Sequence, residues 1–425
     1  MSATPSLVFL LDTPNIWRGQ ALAGTPARVL ALAEHGHRAG ATVTLALCDR
    51  GADYGTPADW TFDTLLVNPA DFYYTEWLAR ALEPVPADFL VMCEAESLLA
   101  AGRQLAEQLG ARLVYDVHDD EAALAASLGE PPEIVDRYES TQRAALAIAD
   151  YVIVSTRHEA EMADGLVIPD RSALLPNGAD PHQRTDWGPD DSSATLVFLG
   201  NLFYEPNARA LTAIRTVVLP PLRAAGVDAR VRVVGRGPAD MTQPAENIEF
   251  TGRVDTVDEA LRGATVALAP LTAGSGAKMK VLDYLAAGLP VLGTSEAVSG
   301  LPPEHPGVVV ENDLSAWPSV LAELLRAPTR LRELGRVGRE CVERELSWQQ
   351  VGTDLLRHTH RWLSSPFPTA RSDDEVSRPP NMPRWFADHV GHNALGEPKT
   401  TMPGRPRWLR NTRHVNPTAA HMERG

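Results

Sequence analysis

Two lysines and an aspartate follow a glycine-containing loop in the second half of the chain. Gly274 and Gly276 allow backbone amides to approach an anion closely, and the helix that follows would direct its positive end at the same anion. Lys278 and Lys280 would lie in its first turn, where a cation is mildly unfavourable unless something negative is bound nearby. Asp283 comes about one turn later, near the same face as Lys280. These residue types predict a nucleotide diphosphate site, with phosphate on amides and lysine and a ribose diol on the carboxylate.

The elements that must position these residues are a strand, a helix and a second strand. Continuous apolar residues at 266–271 and after Pro290 are typical of strands that are buried on both faces, as in a parallel sheet covered by helices. Residues 278–287 between them predict a helix that ends at Gly288. An ordinary strand–helix–strand unit with solvated lysines fits the same pattern, so this stretch alone leaves both interpretations open.

The composition limits the class of protein. A chain of 425 residues exceeds the ~250–300 residues at which single cores stop growing, so more than one domain is expected. With 39 Lys+Arg against 55 Asp+Glu the formal net charge is −16, which argues against nucleic-acid binding. Cys48, Cys93 and Cys341 are too few and too scattered for a metal site or a disulfide framework. We find neither a leader pattern nor an apolar run of membrane-spanning length, and expect a cytoplasmic protein without an integral membrane segment.

Seven motifs occur in a fixed order along most of the chain. They are DVHD (116–119), STRHE (155–159), LPNGAD (175–180), FLGNLFYEPN (198–207), VVGRGP (233–238), FTGRVD (250–255) and the stretch 266–294 described above. Each motif alone is weak, but in this order they resemble the glycosyltransferases of the two-Rossmann-domain type, GT-B, and specifically family 4. The resemblance implies an α/β fold of two facing Rossmann-like domains with parallel sheets.

The resemblance also implies a domain organisation. We expect an acceptor domain at residues 1–182 and a donor domain at residues 183–346, with the boundary in a polar stretch of linker composition. Residues 347–363 would form a helix that returns to the first domain. Residues 364–425, rich in proline and arginine and without periodicity, predict a tail that is disordered or covers the surface.

The resemblance assigns roles to two residues as catalytic. His118 would meet the donor sugar around its 6-hydroxyl, and Lys280 would offset the charge that develops on the leaving nucleotide. The remaining donor-binding residues are predicted to be Asn201, Arg253, Val254, Gly274, Ser275, Gly276, Lys278 and Asp283. In relatives the backbone at the positions of Arg253 and Val254 lies against the base.

This sequence departs from the family at several of these positions. The paired glutamates of the family fall on Ser275 and Asp283, so only the second position keeps a carboxylate, and Asn201 stands where many relatives have an arginine. Arg18 and Gly19 replace a glycine pair in a loop that would contact the donor phosphate or the acceptor. Arg18 fits an anion contact and a solvated loop position equally well.

The function implied by the resemblance is transfer of a sugar from a UDP- or GDP-sugar to a small soluble acceptor. The reaction is expected to retain anomeric configuration and to use neither a metal nor another cofactor, in the biosynthesis of a specialised metabolite. Two alternatives stay open: a degenerate subunit that binds a nucleotide sugar and supports a partner enzyme, and a sugar-nucleotide epimerase, against which the PNGAD and GNLFYEPN motifs argue. A homodimer is compatible with the sequence.

Overall fold

The computed structural model describes most of the chain. The described residues are 4–13, 16–17, 20–21, 23–49, 60–167, 169–181, 188–243, 245–254, 256–367 and 413–415. Arg18 and Gly19, and almost all of the predicted tail, therefore lie outside them. The chain divides into two compact units, the first from residues 1–122, 131–175 and 351–425 and the second from residues 123–130 and 176–350.

The first unit is built around a parallel sheet whose strands come from apolar runs. The strands are β1 (Ser6–Leu11), β2 (Ile16–Trp17), β3 (Gln20–Ala21), β4 (Thr42–Cys48), β5 (Asp63–Val67), β6 (Phe89–Met92), β7 (Arg112–Val117), β8 (Tyr151–Val154) and β9 (Ser172–Leu174). β2 and β3 form a separate antiparallel pair, and the others lie in the order β5-β4-β1-β6-β7-β8-β9. All neighbours in this order are parallel, and residues Arg413–Val415 add an antiparallel strand beside β5.

Helices connect these strands. They are α1 (Gly24–Ala39), α2 (Pro69–Phe72), α3 (Thr75–Leu82), α4 (Ala95–Ser97), α5 (Arg103–Leu109), α6 (Glu121–Leu128), α7 (Pro132–Ile148) and α8 (Arg157–Ala163). Because the chain runs outward from β1 in both directions, the order reverses between β1 and β6. In doubly wound sheets ligands bind outside the carboxyl ends of the strands at such a reversal, and the residues that follow β1, β6 and β7 lie at that edge.

The second unit has a six-stranded, entirely parallel sheet. Its strands are β10 (Thr195–Leu199), β11 (Arg230–Val234), β12 (Ile248–Gly252), β13 (Val266–Ala269), β14 (Val291–Gly293) and β15 (Val308–Val310). They lie in the order β12-β11-β10-β13-β14-β15, so this sheet has the 3-2-1-4-5-6 arrangement of dinucleotide-binding folds. The prediction of an α/β fold with two Rossmann-like domains is confirmed.

Seven helices complete the described structure after β9. They are α9 (Glu205–Ala213), α10 (Leu219–Ala224), α11 (Val257–Leu261), α12 (Met279–Ala286), α13 (Trp317–Leu325), α14 (Pro328–Glu345) and α15 (Trp348–Ser364). None of the helices in the described ranges combines the length and the apolar character that crossing a bilayer requires.

Helix α15 packs into the first unit from residue 351 onward. A Cβ atom on Gly352 would lie 2.4 Å from the carbonyl oxygen of His35 in α1, so the two helix backbones meet where no side chain fits. Trp362 is 1% exposed and stacks on Tyr151 of β8, with ring centroids 4.6 Å apart. This helix therefore covers part of the core of the first unit.

Candidate active site

The loops after β10 and β13 in the second unit lie side by side at the reversal of strand order. β10 pairs with β13 in parallel register, Leu196 with Val266 and Val197 with Ala267, so both strands end at the same edge. The glycine-containing loop connects β13 to α12, whose eight residues begin directly after Lys278. This edge is the ligand-binding location of doubly wound sheets, and it holds the predicted donor residues Asn201, Gly274 and Lys280.

Lys280 is a cation at this edge, and its contacts in the described structure are with neutral groups. Its ammonium donates a hydrogen bond to Oδ1 of Asn207 in α9 and lies 4.8 Å from the ring centroid of Phe198 in β10. Among the described residues no carboxylate pairs with it. Desolvation, followed by the charge of Lys278, lowers the pKa of Lys280 to about 7. A bound anion would reverse this by stabilising the charged form.

Lys278 makes contacts with the protein in this structure. Its ammonium donates to the carbonyl oxygens of Ser275 at 2.6 Å and Gly276 at 2.9 Å, and it forms a salt bridge of 2.7 Å with Glu296. The side chain is 11% exposed. Lys278 thus fixes the path of the glycine loop, while its direct contact with a donor stays a prediction.

The loop requires glycine at position 274. Gly274 has φ of 143°, and a Cβ atom there would lie 3.1 Å from Oε1 of Glu296 and 3.2 Å from Nζ of Lys278. Its amide donates to Oγ of Ser127 at 3.2 Å. Ser299 closes the loop from the other side by donating to the Gly276 carbonyl at 2.7 Å. A ligand that uses the Gly274 amide would have to replace the serine hydroxyl.

The loop after β10 is closed on itself by asparagines. Oδ1 of Asn201 accepts from the amide of Phe203 at 3.2 Å, and its carbonyl accepts from Nδ2 of Asn207 at 2.9 Å. The Asn201 side chain is therefore used by its own turn, although it is exposed. A Cβ atom on Gly235 would lie 2.1 Å from the carbonyl oxygen of Gly200, so the loop after β11 presses against this turn.

The other predicted donor residues lie in α12, in the glycine loop and after β12. Asp283 lies in α12 one turn after Lys280 and is partly buried, as is Ser275 in the loop. Arg253 and Val254 follow the end of β12, which β11 separates from β10. The structure places all of them at the carboxyl edge of one sheet, and their contact with a donor stays a prediction.

His118 follows β7 at the corresponding edge of the first unit. Its Nε2 lies 2.8 Å from Oγ1 of Thr25 in α1, and its carbonyl accepts from Oγ of Ser155 at 3.2 Å. Nδ1 is buried and has no hydrogen-bond partner within the described ranges. The imidazole is thus oriented through Nε2.

Carboxylates gather around this histidine. Desolvation raises the pKa of Glu94, although the residue keeps part of its surface in contact with solvent. His118 opposes this rise, and the charges of Glu96 and Asp119 add to it. Desolvation together with Glu94, Glu96 and Asp119 raises the pKa of Glu121 to about 7. The carboxylates involved follow β6 and β7, at the carboxyl edge of the first sheet.

Sequence reasoning missed several residues that shape the two edges. Asn207 ends the motif FLGNLFYEPN, which does not by itself indicate what the Asn207 side chain contacts. Glu296 comes 18 residues after Lys278, which is too far for a local pattern to connect them. One signal was present in the sequence. Lysine occurs at only three positions, 278, 280 and 399, in a chain with 39 Lys+Arg. Two of the three are Lys278, at the end of the glycine loop, and Lys280, in the first turn of α12.

Two Rossmann-like units with parallel sheets in these strand orders have the fold that is described as GT-B. A family model described as Glycosyl transferases group 1 matches residues 193–327, within the second unit.

A curated relative shares 31% identity over 207 residues. It is the GDP-mannose-dependent monoacylated alpha-(1-6)-phosphatidylinositol monomannoside mannosyltransferase of Corynebacterium glutamicum. The match covers 43% of this chain, and the chain spans 54% of the length of that relative.

Solved structures with low sequence identity share the fold. Sucrose-phosphate synthase of Thermosynechococcus elongatus aligns with a TM-score of 0.66 at 15% identity, covering 85% of this chain and 100% of that one. The Anabaena protein HepE, in complex with UDP and glucose, aligns with a TM-score of 0.63 at 12% identity, covering 83% of this chain and 98% of that one.

Proposed function

We propose that this protein transfers a sugar from a nucleotide diphosphate sugar, carrying uridine or guanosine, to a small soluble acceptor. The observation that carries the proposal is Lys280, a partly buried ammonium without a carboxylate partner in the described structure, at the reversal of a doubly wound sheet and beside a glycine loop. A diphosphate would supply the missing negative charge at this position.

The chemistry proposed for this edge is stabilisation of the leaving group. As the bond between the sugar and the diphosphate breaks, negative charge grows on the diphosphate, and Lys280 and the amides at the start of α12 would stabilise it. The departing phosphate oxygen would then take the proton of the acceptor on the same face of the sugar, which gives retention. This route asks for neither an enzyme carboxylate at Ser275 nor a metal ion.

The comparisons support this proposal without deciding the substrates. The corynebacterial relative is named for GDP-mannose and an acylated inositol lipid, whereas HepE was solved with UDP and with UDP-glucose. Both bases therefore belong in the test, and the soluble acceptor must be tested against a lipid-linked one.

The test begins with calorimetric binding of UDP, GDP, TDP and ADP to the purified protein, first without metal and then with magnesium. We expect one nucleotide to bind with micromolar affinity and magnesium to change this little. Lys280→Met should abolish the binding heat, and Arg209→Met, which removes an exposed cation from α9, is the matched control. Failure of every nucleotide to bind would overturn the donor site.

Turnover distinguishes the enzyme from the degenerate subunit. The matching sugar nucleotides should release free nucleoside diphosphate in the presence of acceptor mixtures, with the configuration of the product read by NMR. Turnover by the isolated protein excludes the degenerate subunit. Binding without turnover until a second protein is added would favour it, since Ser275 stands in place of a family glutamate.

A further inference from the structure

Asn207 connects the two loops that meet at the reversal of the second sheet. It lies in the first turn of α9, is 7% exposed, and reaches the ammonium of Lys280 through Oδ1 and the carbonyl of Asn201 through Nδ2. A side-chain amide can accept from an ammonium through its oxygen and donate to a carbonyl through its nitrogen at the same time. Both contacts fit only one orientation of the amide.

The surroundings hold this amide tightly. A Cβ atom on Gly200 would lie 2.9 Å from Cγ of Asn207, so the backbone of the β10 loop packs directly on the amide. The partner of a buried lysine is commonly a carboxylate, because a buried charge is costly without an opposite charge. Here the partner is neutral. The ammonium is thus held in place while its charge stays uncompensated.

We propose that Asn207 is a positioning residue for the donor reaction, which holds the Lys280 ammonium at the sheet edge without neutralising it and so reserves its charge for the diphosphate. This inference rests on the proposed function and deepens it. It predicts that a carboxylate at position 207 would occupy the lysine and compete with the ligand.

Among the described residues, the charge that acts on Lys280 most directly is that of Lys278. Lys278 repels it from the preceding turn of chain, and that charge is itself paired with Glu296. The side chains that contact Lys280 from β10 and α9 are Phe198 and Asn207, and both are neutral. Helix α12, which carries Lys280, also contains the carboxylate of Asp283. A carboxylate introduced at position 207 would therefore stand in direct contact with the ammonium.

The decisive variant is Asn207→Asp, which keeps the shape and changes the charge. Because the chain contains only three lysines, isotope-labelled lysine gives three side-chain NMR signals, and the titration of Lys280 can be followed in the absence of any ligand. Lys280→Met identifies its signal. In the wild type the signal should titrate near neutral pH, and in Asn207→Asp its midpoint should rise by about two pH units, because an adjacent carboxylate favours the charged form.

Nucleotide binding supplies the second measurement. Calorimetry with UDP and GDP should show that wild-type affinity falls about tenfold from pH 7 to pH 9, as the ammonium loses its proton. Asn207→Asp should bind about tenfold more weakly at pH 7, since its carboxylate competes for the lysine, and should show a flat profile up to pH 9.

Two variants separate charge from packing. Asn207→Ser loses the hold on the lysine but stays neutral, so it should bind more weakly while its affinity still falls with pH. Asn247→Asp adds the same charge immediately before β12, at the opposite end of the sheet. The fold should tolerate this variant, because aspartate can adopt the φ of 61° at that position. It should match the wild type in both measurements.

The possible failures differ. If Lys280 titrates in Asn207→Asp as it does in the wild type, or if the two affinity profiles fall in parallel, Asn207 does not position the ammonium and this inference is wrong while the proposed function stands. If wild-type protein binds no nucleotide, the proposed function fails, and the inference about the donor reaction fails with it even where the NMR shift is seen.

Discussion

The guanidinium of Arg28, in α1, forms a buried ion pair with the carboxylate of Asp116, in β7. Nη2 of Arg28 lies 2.8 Å from Oδ1 of Asp116, Nε donates to the same carboxylate, and both side chains are 1% exposed. The same Nη2 also donates to the carbonyl of Leu175 at 3.0 Å. The Arg28 side chain thus joins α1 to β7 and to Leu175, the residue after β9. Its partner Asp116 lies two positions before His118.

Replacing this arginine should destabilise the protein strongly. Arg28→Ala leaves the Asp116 carboxylate buried without an opposite charge, and we expect a loss of about 3–5 kcal/mol in the free energy of unfolding. Urea denaturation followed by circular dichroism measures it. Arg38→Ala, in the same helix, removes an arginine that is 54% exposed and paired with Glu34, and should cost about 1 kcal/mol or less. Equal losses in the two variants would contradict the role of burial.

His118→Ala should lower turnover by at least about tenfold and change nucleotide affinity little, because the histidine lies in the first unit and the predicted diphosphate residues lie in the second. Steady-state kinetics and calorimetry separate the two effects. Thr25→Val removes the partner of Nε2 and should give a smaller loss of turnover. A large loss of nucleotide affinity in His118→Ala would place this residue at the diphosphate instead.

The stability of the wild type relative to Lys280→Met should depend on pH. Desolvation lowers the pKa of Lys280 from 10.5 to about 7, so between these values the unfolded chain binds more protons than the native protein. Native stability therefore rises with pH across this window, by on the order of 1 kcal/mol after solvent screening is allowed for. Urea denaturation at several pH values should show that the free energy of unfolding of the wild type increases with pH relative to that of Lys280→Met. Lys280→Arg should show no such gain, because a guanidinium stays charged throughout.

Glu121 should give the opposite dependence. Its pKa is raised from 4.5 to about 7, so the native protein binds more protons than the unfolded chain in that window, and stability falls as pH rises through it. Glu121→Gln should therefore stabilise the protein at about pH 8, by on the order of 1 kcal/mol, and have little effect near pH 4. The exposed Glu139→Gln is the control. A gain that does not depend on pH would point to packing as its cause.

The sequence predicted the local elements well, because buried strands require continuous apolar residues. The strand expected at 266–271 is β13, Val266–Ala269, and the helix expected at 278–287 is α12, Met279–Ala286. Lys278 lies one residue outside the helix, with φ of −86° and ψ of 94°. Periodicity locates a helix boundary only to within one or two residues.

The partners of the site residues could not be predicted in the same way. Lys280 and Asn207 are 73 residues apart, and Arg28 and Asp116 are 88 apart. No local pattern connects such positions, since only the pairing of β10 with β13, or the packing of α1 on its sheet, brings them together. The sequence predicted which residues are chemically suited to the site, and the fold determined which of them are already engaged.

The packing of Gly352 on His35 and of Trp362 on Tyr151 also has a consequence for biosynthesis. The ribosome makes residues 1–175 first, yet the core that they form is covered by residues that emerge only after position 350. The first unit is therefore completed only after residues 176–350 have been made, and a nascent chain carries its uncovered apolar surface throughout their synthesis. Chaperone dependence should accordingly be concentrated in this interval of translation.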